Sequence, residues 1–348
     1  MTLEHRKTDL WKLRLYFAVY ISAGGFLYPF ITLFYKQIGL SGAQMGLLAS
    51  LGWAVSMLFA PFWGRWSDTA RSPKLVLQIA LLGAGVTYFL IGLQAAFLGI
   101  AIFIALSSIF DNSIGSLSTT HALAATENEK SGFGSIRLFG SLGWAIVAPL
   151  AGWLIEQWGM LVPFAGFALA SFLAALIIQF VTTKPRSAQR NKDKPRVPLR
   201  QVAMSLARDK SMLGLAAAMF IVWLTSTGRN QFESIYLVQL GASESLVGLA
   251  NSIGAVVELP FMLWSDRLVQ RHGSGAVLRA SLLLQAVGLV SVVIVPSVAS
   301  IFIFRAVQGI SYSMLVVAMV AYIIEGAPHG QDATALTFYD VTLRGLGS

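Results

Sequence analysis

The chain of 348 residues contains no cysteine, which excludes disulfide bonds, thiolate metal sites and cysteine nucleophiles. Its four histidines are scattered along the chain, so we expect no metal centre. Charged residues are also scarce, since they make up only 12% of the chain, about half of their share in soluble domains. Hydrophobic residues, by contrast, make up 56%, and the mean hydropathy is +0.69. This composition predicts a protein that crosses a membrane many times.

Ten apolar stretches are each long enough to cross a bilayer as a helix, which takes about 20 residues. We predict spans near 14–35, 44–63, 75–93, 97–122, 135–155, 161–181, 211–236, 245–264, 276–295 and 299–323. An eleventh stretch begins near Ala335 and extends to Ser348, which is about 21 Å of α-helix and less than a bilayer core. We therefore expect a chain that is truncated in its eleventh span. No cleavable signal peptide is expected before the first span.

Basic residues are concentrated in alternate connections between the predicted spans. The amino terminus and the connections after spans two, four, six and eight contain 21 of the 25 Lys and Arg residues, whereas the opposite connections contain only Lys36. By the positive-inside rule, the amino terminus and these basic connections are cytoplasmic. The net charge of +9 is therefore interpreted as an orientation signal, and no nucleic-acid partner is expected. The expected location is a bacterial plasma membrane, the cell inner membrane.

The two parts of the chain on either side of a basic central segment resemble each other. Residues 37–52 (QIGLSGAQMGLLASLG) and 239–254 (QLGASESLVGLANSIG) share seven of sixteen residues without a gap, and Trp-Ser-Asp at 66–68 recurs at 264–266. Six spans separate the copies, so both parts have the same orientation in the membrane. We therefore predict an all-α fold of two parallel six-helix repeats. Its parts are an N-terminal half (1–181), a basic cytoplasmic linker (182–210) and a C-terminal half (211–348).

This organisation resembles the major facilitator superfamily. The family has a cytoplasmic motif after its second span, with a glycine, three residues, an aspartate and then basic residues; here it reads GRWSDTARSPK at 64–74. The resemblance implies a cytoplasmic gating latch, in which a carboxylate at a helix end pairs with basic neighbours. Its expected members are Gly64, Asp68, Arg71 and Lys74 in the first copy and Asp266, Arg267 and Arg271 in the second. The alternative is ordinary capping, with Ser72 and Pro73 beginning the third span.

The start of the fifth span, GFGSIRLFGSLGW at 132–144, is similar to a signature of the lactose permease and phenylpropionate permease branch of that superfamily. The resemblance implies that Arg137 donates hydrogen bonds to the substrate and that Trp144 stacks on its ring. Ser141 lies on the same helical face. His121 falls where those permeases have an acid that pairs with the arginine, so a polar ring other than a galactoside is expected. The alternative is that Arg137 only anchors the end of its helix.

Seven ionisable residues lie within the predicted spans, where each costs about 2.5 to 3.5 kcal/mol on insertion scales. They are Asp111, Arg229, Glu233, Glu258, Arg305, Asp340 and Arg344. Asp111 and Glu258 lie near the midplane, one in each half. A carboxyl whose neighbour changes from an arginine to substrate or solvent can bind a proton and release it again. We nominate Glu258 first for this role and Asp111 second.

The other five intramembrane charges lie in the C-terminal half, where lactose permease also has charged spans. The resemblance places Arg305 and Arg344 at two buried lysines of that permease, with Glu233 as an opposing charge. Arg229 with Glu233, and Asp340 with Arg344, are also pairs four residues apart. Mutual neutralisation within one helix is therefore the alternative for each pair.

These observations favour a secondary active transporter that imports a small ring-bearing solute, such as a sugar, a nucleoside or an aromatic acid, by proton-coupled symport and alternating access. The expected partners are the solute, protons or sodium, and the lipid bilayer, and we expect a monomer. No catalytic motif is present, so neither an enzyme nor a cofactor is expected. One alternative is an efflux antiporter of amphipathic compounds, because APLAG at 148–152 is similar to a drug-antiporter motif. The other alternative is a non-transporting membrane receptor.

Overall fold

The computed structural model describes residues 3–126, 133–182 and 210–326. Within these ranges every regular element is an α-helix, which confirms the predicted all-α fold. The helices are α1 (Leu3–Leu27), α2 (Ile31–Gln37), α3 (Gly42–Thr69), α4 (Pro73–Ile91), α5 (Phe97–Thr126), α6 (Phe133–Trp158), α7 (Val162–Gln179), α8 (Lys210–Gln239), α9 (Glu244–His272), α10 (Ser274–Ile294) and α11 (Val298–Gly326). Asp340, Arg344, the eleventh apolar stretch and most of the expected linker lie outside the described residues.

Nine helical segments of the described residues are long and apolar enough to cross a membrane. The first of them, Thr8–Gln37, combines α1 and α2. The break between these two helices coincides with Pro29, which has no N–H to donate to the preceding turn. The expected seventh span corresponds to the helix α8, which is not among these nine segments.

The internal repeat has a structural counterpart in the turns that precede α3 and α9. Gly39 and Gly241, at equivalent positions of the two copies, have φ angles of +84° and +89°. A residue with a side chain rarely adopts this left-handed conformation, so glycine is needed to end the preceding helix and turn the chain. In the first copy, Ser41 then accepts a hydrogen bond from the Gln44 N–H (3.3 Å), and the Gln44 side chain accepts one from the Ser41 N–H (2.8 Å). This capping box fixes the start of α3.

The Cα positions form two compact units. Unit 1 consists of Met1–Lys192 together with Ala242–Ser252, and unit 2 consists of Asp193–Gly241 together with Ile253–Ser348. In unit 1, α1 packs against α6 and α7, while α4 and α3 pack against α5. Because lipid is as apolar as leucine, such helices are held by close van der Waals contact, which small residues permit. Gly143 of α6 is one example, since a Cβ there would collide with the Ala18 carbonyl oxygen of α1.

In unit 2, α10 and α11 form the main helix pair, and α8 packs against α11. A buried apolar cluster joins these three helices: Leu215, Met219, Val277, Leu278, Leu315, Ala318 and Ile323. Helices α9 and α11 also approach closely, since a Cβ at Gly309 would lie 2.6 Å from the Gly254 carbonyl oxygen. This packing places the polar residues of α8 and α11 next to each other inside the unit.

Candidate functional site

Three elements of unit 1 converge on the carboxylate of Asp111. Its Oδ2 atom accepts a hydrogen bond of 2.8 Å from the Tyr28 hydroxyl and one of 3.1 Å from the Tyr88 hydroxyl. Tyr28 follows the last residue of α1, Tyr88 lies on α4 and Asp111 lies on α5. Tyr88 is buried, whereas the Tyr28 side chain is 43% exposed, so the cluster is open on one side. We call these three residues the tyrosine–carboxylate cluster.

Aromatic rings extend this cluster toward α6 and α7. The Trp144 ring stacks on the Tyr28 ring with centroids 6.3 Å apart and planes inclined by 27°. The buried Phe167 ring contacts Tyr28 and Tyr88 edge to face, at 6.3 Å and 4.7 Å. A Cβ at Gly24 would lie 2.8 Å from the Tyr28 ring and 2.9 Å from the Trp144 ring, so only glycine leaves room for the stacked pair. The result is an aromatic wall beside a hydrogen-bonded carboxylate.

The other substrate residues expected from the resemblance lie on α6 and α5. Arg137 is exposed and Ser141 half-buried, both on α6. Arg137 and Asp111 both interact electrostatically with Tyr20, which connects the arginine with the tyrosine–carboxylate cluster. The His121 ring is buried and makes its hydrogen bond with the Pro73 carbonyl rather than with Arg137. The structure therefore brings Trp144 and Asp111 into one region and places His121 elsewhere.

Three of the four described intramembrane charges of unit 2 form a second cluster, which we call the arginine–glutamate cluster: Arg229, Glu233 and Arg305. Glu233 is buried; its Oε1 accepts a hydrogen bond of 2.5 Å from Arg305 Nε, and its Oε2 lies 3.7 Å from Arg229 Nε. Arg305 also donates to the Gln308 side chain (3.2 Å), and the Arg229 guanidinium lies 5.2 Å from the Phe304 ring centre. One carboxylate thus contacts two arginines, one on its own helix and one on α11.

Glu258 lies half-buried on α9 in unit 2. Its backbone carbonyl accepts a hydrogen bond of 3.0 Å from the Ser313 hydroxyl, which also donates to the Gly309 carbonyl (2.8 Å). This contact ties the middle of α9 to α11. The nomination of Glu258 as the first proton carrier stays a prediction.

The structure describes only some of the side chains of the expected gating motif. Lys74 donates hydrogen bonds to the carbonyls of Gln179 (3.2 Å) and Val181 (2.8 Å) at the end of α7. Cations commonly stabilise helix C-termini in this way, so Lys74 has a structural contact with the end of α7. Arg71 in the first copy and Asp266, Arg267 and Arg271 in the second are exposed. Gly64 and the side chain of Asp68 lie outside what the structure describes, so the latch stays a prediction.

Tyr28, Tyr88, Phe167 and Gly24 are site residues that the sequence analysis did not identify. A signal was present in α1, where tyrosines at 16, 20 and 28 and a glycine at 24 repeat every four residues and share one face of the helix. Among the described residues, no group of three or more His, Asp or Glu side chains could hold a metal ion.

Long apolar helices with ionisable side chains buried between them are the architecture of a multi-pass membrane transporter. The model of the MFS_1 like family matches residues 10–348, and the chain belongs to this family of the major facilitator superfamily. The predicted superfamily and fold are thereby confirmed.

Several known proteins are similar over most of the chain. Maltose permease of Geobacillus stearothermophilus is 29% identical over 337 residues, which cover 96% of this chain and 83% of the permease. Multidrug resistance protein MdtG of Dickeya zeae is 25% identical, with 97% and 86% covered. The crystal structure of nucleoside transporter NupG superimposes with a TM-score of 0.79 at 16% identity and covers 97% of this chain and 88% of that one.

Proposed function

We propose that the protein imports a small ring-bearing solute by proton-coupled symport, with its amino terminus in the cytoplasm of a bacterial cell. The observation that carries this proposal is the tyrosine–carboxylate cluster beside the stacked Tyr28 and Trp144 rings. An aromatic face packs on a flat ring, and hydroxyl and carboxylate groups at its edge bind polar substituents. The cluster therefore has the chemistry for a ring that carries hydroxyl groups.

The similar proteins support the same class of solute. A maltose permease and a nucleoside transporter are among them, and both names denote solutes with hydroxylated rings. In the proposed site, Trp144 stacks on the ring, and Arg137 and Ser141 are kept as substrate residues from the resemblance, whereas His121 makes its hydrogen bond with the Pro73 carbonyl. Of these, Arg137 and Trp144 are tested first, because both lie on α6 and both connect to the tyrosine–carboxylate cluster through a tyrosine.

The proton carrier in this proposal is a half-buried carboxyl whose described hydrogen bonds do not come from an arginine. Asp111 meets this condition in its described hydrogen bonds, which come from two neutral hydroxyls. A tyrosine hydroxyl can donate to an ionised carboxylate and accept from a protonated carboxyl, so it stabilises both forms. We accordingly place Asp111 ahead of Glu258 as the residue that loads the proton.

The proposal is tested first by binding. Thermal-shift measurements on the purified chain with maltose, uridine and 3-phenylpropionate compare a sugar, a nucleoside and an aromatic acid. Trp144→Ala should weaken binding of the active solute by about tenfold, the upper range for one aromatic stack. Trp153→Ala is the matched control, because Trp153 is a half-exposed ring on the same helix that contacts Trp158 rather than Tyr28. Equal losses in both variants would argue against the site.

Transport is tested in energy-depleted cells that express the chain. Addition of the bound solute should make the medium more alkaline, because protons enter with the solute. Uptake without any pH change, and at the same rate in Asp111→Asn and Glu258→Gln, would contradict proton symport. Binding without flux into vesicles would instead support the receptor alternative.

A proton-coupled efflux antiporter is the second candidate, and one feature of unit 1 favours it. In the 148–152 segment, a Cβ at Gly152 would collide with the Glu244 backbone, and one at Gly248 would collide with the backbone of Ala148 and Pro149. The Glu156 carboxylate also accepts a hydrogen bond of 2.8 Å from the Ser245 N–H at the start of α9. The similarity to MdtG, a protein named for multidrug resistance, also supports the efflux candidate. Deletion of the gene should sensitise cells to toxic compounds if this candidate is correct, and should not if the protein is an importer.

A further inference from the structure

Helices α1 and α5 face each other through a series of hydroxyl groups. On α1, Tyr16 and Tyr20 lie one turn apart, and Tyr28 follows two turns later on the same side, beyond Gly24. On α5, Asp111, Gly115 and Ser118 are spaced by four and three residues and also share one face. We call this set of facing residues the hydroxyl seam: Tyr16, Tyr20, Tyr28, Asp111 and Ser118.

The two helices run antiparallel. Their facing residues meet at three levels along the seam. At one end, the Tyr28 hydroxyl donates to Asp111 Oδ2 (2.8 Å). At the other end, the hydroxyls of Tyr16 and Ser118 lie 2.6 Å apart, and both side chains are buried. Between them the Tyr20 hydroxyl faces Gly115, because a Cβ there would lie 3.5 Å from it. From residue 16 to residue 28 the seam spans about 18 Å of helix.

The middle level connects the two ends. The rings of Tyr16 and Tyr20 are stacked, with centroids 5.9 Å apart and planes inclined by 15°. Tyr20 also interacts electrostatically with both Asp111 and Tyr28. Gly115 has no side chain that could fill the space beside the Tyr20 hydroxyl, so no side chain of α5 at this position closes the middle level.

Other ionisable groups contact the seam from neighbouring helices. Tyr88 of α4 donates to Asp111 (3.1 Å), and Arg137 of α6 interacts with Tyr20. His121 follows Ser118 by one turn on α5; its ring is buried, hydrogen-bonds the Pro73 carbonyl and lies near Lys74. The His121 Nδ1 atom is buried without a hydrogen-bond partner. An imidazole nitrogen in that state can accept a proton where the seam ends.

We propose that the hydroxyl seam conducts protons between Asp111 and the N-terminal end of α1, with His121 as the last acceptor. The inference rests on the proposed function, in which Asp111 loads the proton and the N-terminal end of α1 faces the cytoplasm. At each step a hydroxyl oxygen accepts a proton from one neighbour and releases its own proton to the next, so no hydroxyl keeps a charge. Water molecules bridge the steps that exceed a hydrogen bond.

The test measures how fast Asp111 gains a proton, and it needs no solute. Purified full-length chain is subjected to a rapid drop in pH, and the C=O band of the protonated carboxyl is followed by time-resolved infrared spectroscopy. Asp111→Asn assigns the band, because it removes this carboxyl. Tyr20→Phe should slow the band's appearance by about 100-fold or more, the lower end of the range for one positioned proton-transfer group.

Tyr35→Phe is the matched control, since Tyr35 is a buried tyrosine of the same unit that lies on α2, outside the seam. It should leave the rate unchanged, while Ser118→Ala should slow it as Tyr20→Phe does. The thermal unfolding midpoint of each variant confirms that it is folded. A wild-type rate in both Tyr20→Phe and Ser118→Ala, or no Asp111 band at all, would overturn the proposal. Failure of solute import is a separate result, because it leaves these rates unaffected.

Discussion

Each unit of the protein contains a carboxylate in a membrane-spanning helix, and the two have opposite kinds of partners. Asp111 in unit 1 accepts its described hydrogen bonds from two tyrosine hydroxyls. Glu233 in unit 2 contacts two arginines, at 2.5 Å and 3.7 Å. Both residues are costly in a membrane, but only Glu233 is compensated by positive charge.

The different partners of Asp111 and Glu233 indicate different roles for the two carboxylates. Arginine has only donors and keeps its charge, so the two arginines offer Glu233 hydrogen-bond donors and positive charge but no acceptor. The tyrosines of unit 1 can donate or accept, and they therefore remain good partners whether Asp111 is ionised or protonated. We conclude that the arginine–glutamate cluster holds α8 and α11 together, while the tyrosine–carboxylate cluster is suited to a change of protonation.

The largest expected effect is on the arginine–glutamate cluster. Glu233→Gln leaves Arg229 and Arg305 in a buried site without their shared negative charge, and breaking a buried ion pair in this way costs about 3 to 5 kcal/mol. The thermal unfolding midpoint of the purified variant should fall by many degrees. Glu244→Gln, at the first turn of α9, should cost less than about 1 kcal/mol, the range for an acid at a helix N-terminus. A Glu233→Gln midpoint that matches this control would contradict the structural role of the cluster.

The next largest effect is on the aromatic wall of unit 1. In Gly24→Ala the new methyl group would lie 2.8 Å from the Tyr28 ring and 2.9 Å from the Trp144 ring, and overpacking of this kind costs about 1 to 3 kcal/mol. The stacked rings should separate, so both thermal stability and solute binding should decrease. Gly46→Ala is the control, because no atom lies within 4 Å of a Cβ at Gly46, and it should leave both unchanged or slightly raise stability through better helix propensity. Equal thermal stability and equal solute binding in the two variants would show that the stacked rings do not need a glycine at residue 24.

The smallest effect concerns the two tyrosines that bind Asp111. Tyr88→Phe removes a hydrogen bond of 3.1 Å from a buried hydroxyl, and a typical net contribution is about 0.5 to 1.5 kcal/mol. Tyr28→Phe removes the shorter bond of 2.8 Å but keeps the ring that stacks on Trp144. Unfolding measurements should give similar small losses for both variants, and solute binding should suffer more in Tyr28→Phe, because Tyr28 is the more exposed of the two. Larger binding losses in Tyr88→Phe would place the solute on the other side of the carboxylate.

The helices could be predicted from the sequence because each is a long apolar stretch with a recognisable beginning or end. The repeat could also be predicted, and Gly39 and Gly241 show why: both turns need a left-handed residue, so glycine stands at the same place in each copy. The expected seventh span corresponds to α8, in which Arg229 and Glu233 have charged partners inside unit 2.

The site could be predicted only in part, because its contacts join helices that are distant in sequence. Asp111 and Trp144 were identified, one by its charge in a span and one by resemblance, but their connection through Tyr28 depends on how α1, α5 and α6 pack. Tyrosine is common in transmembrane proteins. Tyr28 and Tyr88 could therefore not be recognised as site residues from the sequence by themselves. Counting residues along α5 placed His121 near Arg137, whereas the packing of α4 against α5 gives it the Pro73 carbonyl as its partner.

The central claim is that Asp111 carries the coupled proton, and one measurement tests it most directly. Energy-depleted cells that express either the wild-type chain or Asp111→Asn receive the solute identified in the binding screen, and the pH of the medium and the solute taken up are recorded together. Asp111→Asn should still exchange solute across the membrane but should no longer make the medium alkaline. If Asp111→Asn alkalinises the medium as the wild type does, and only Glu258→Gln abolishes the response, the proton is carried in unit 2 and the account is wrong.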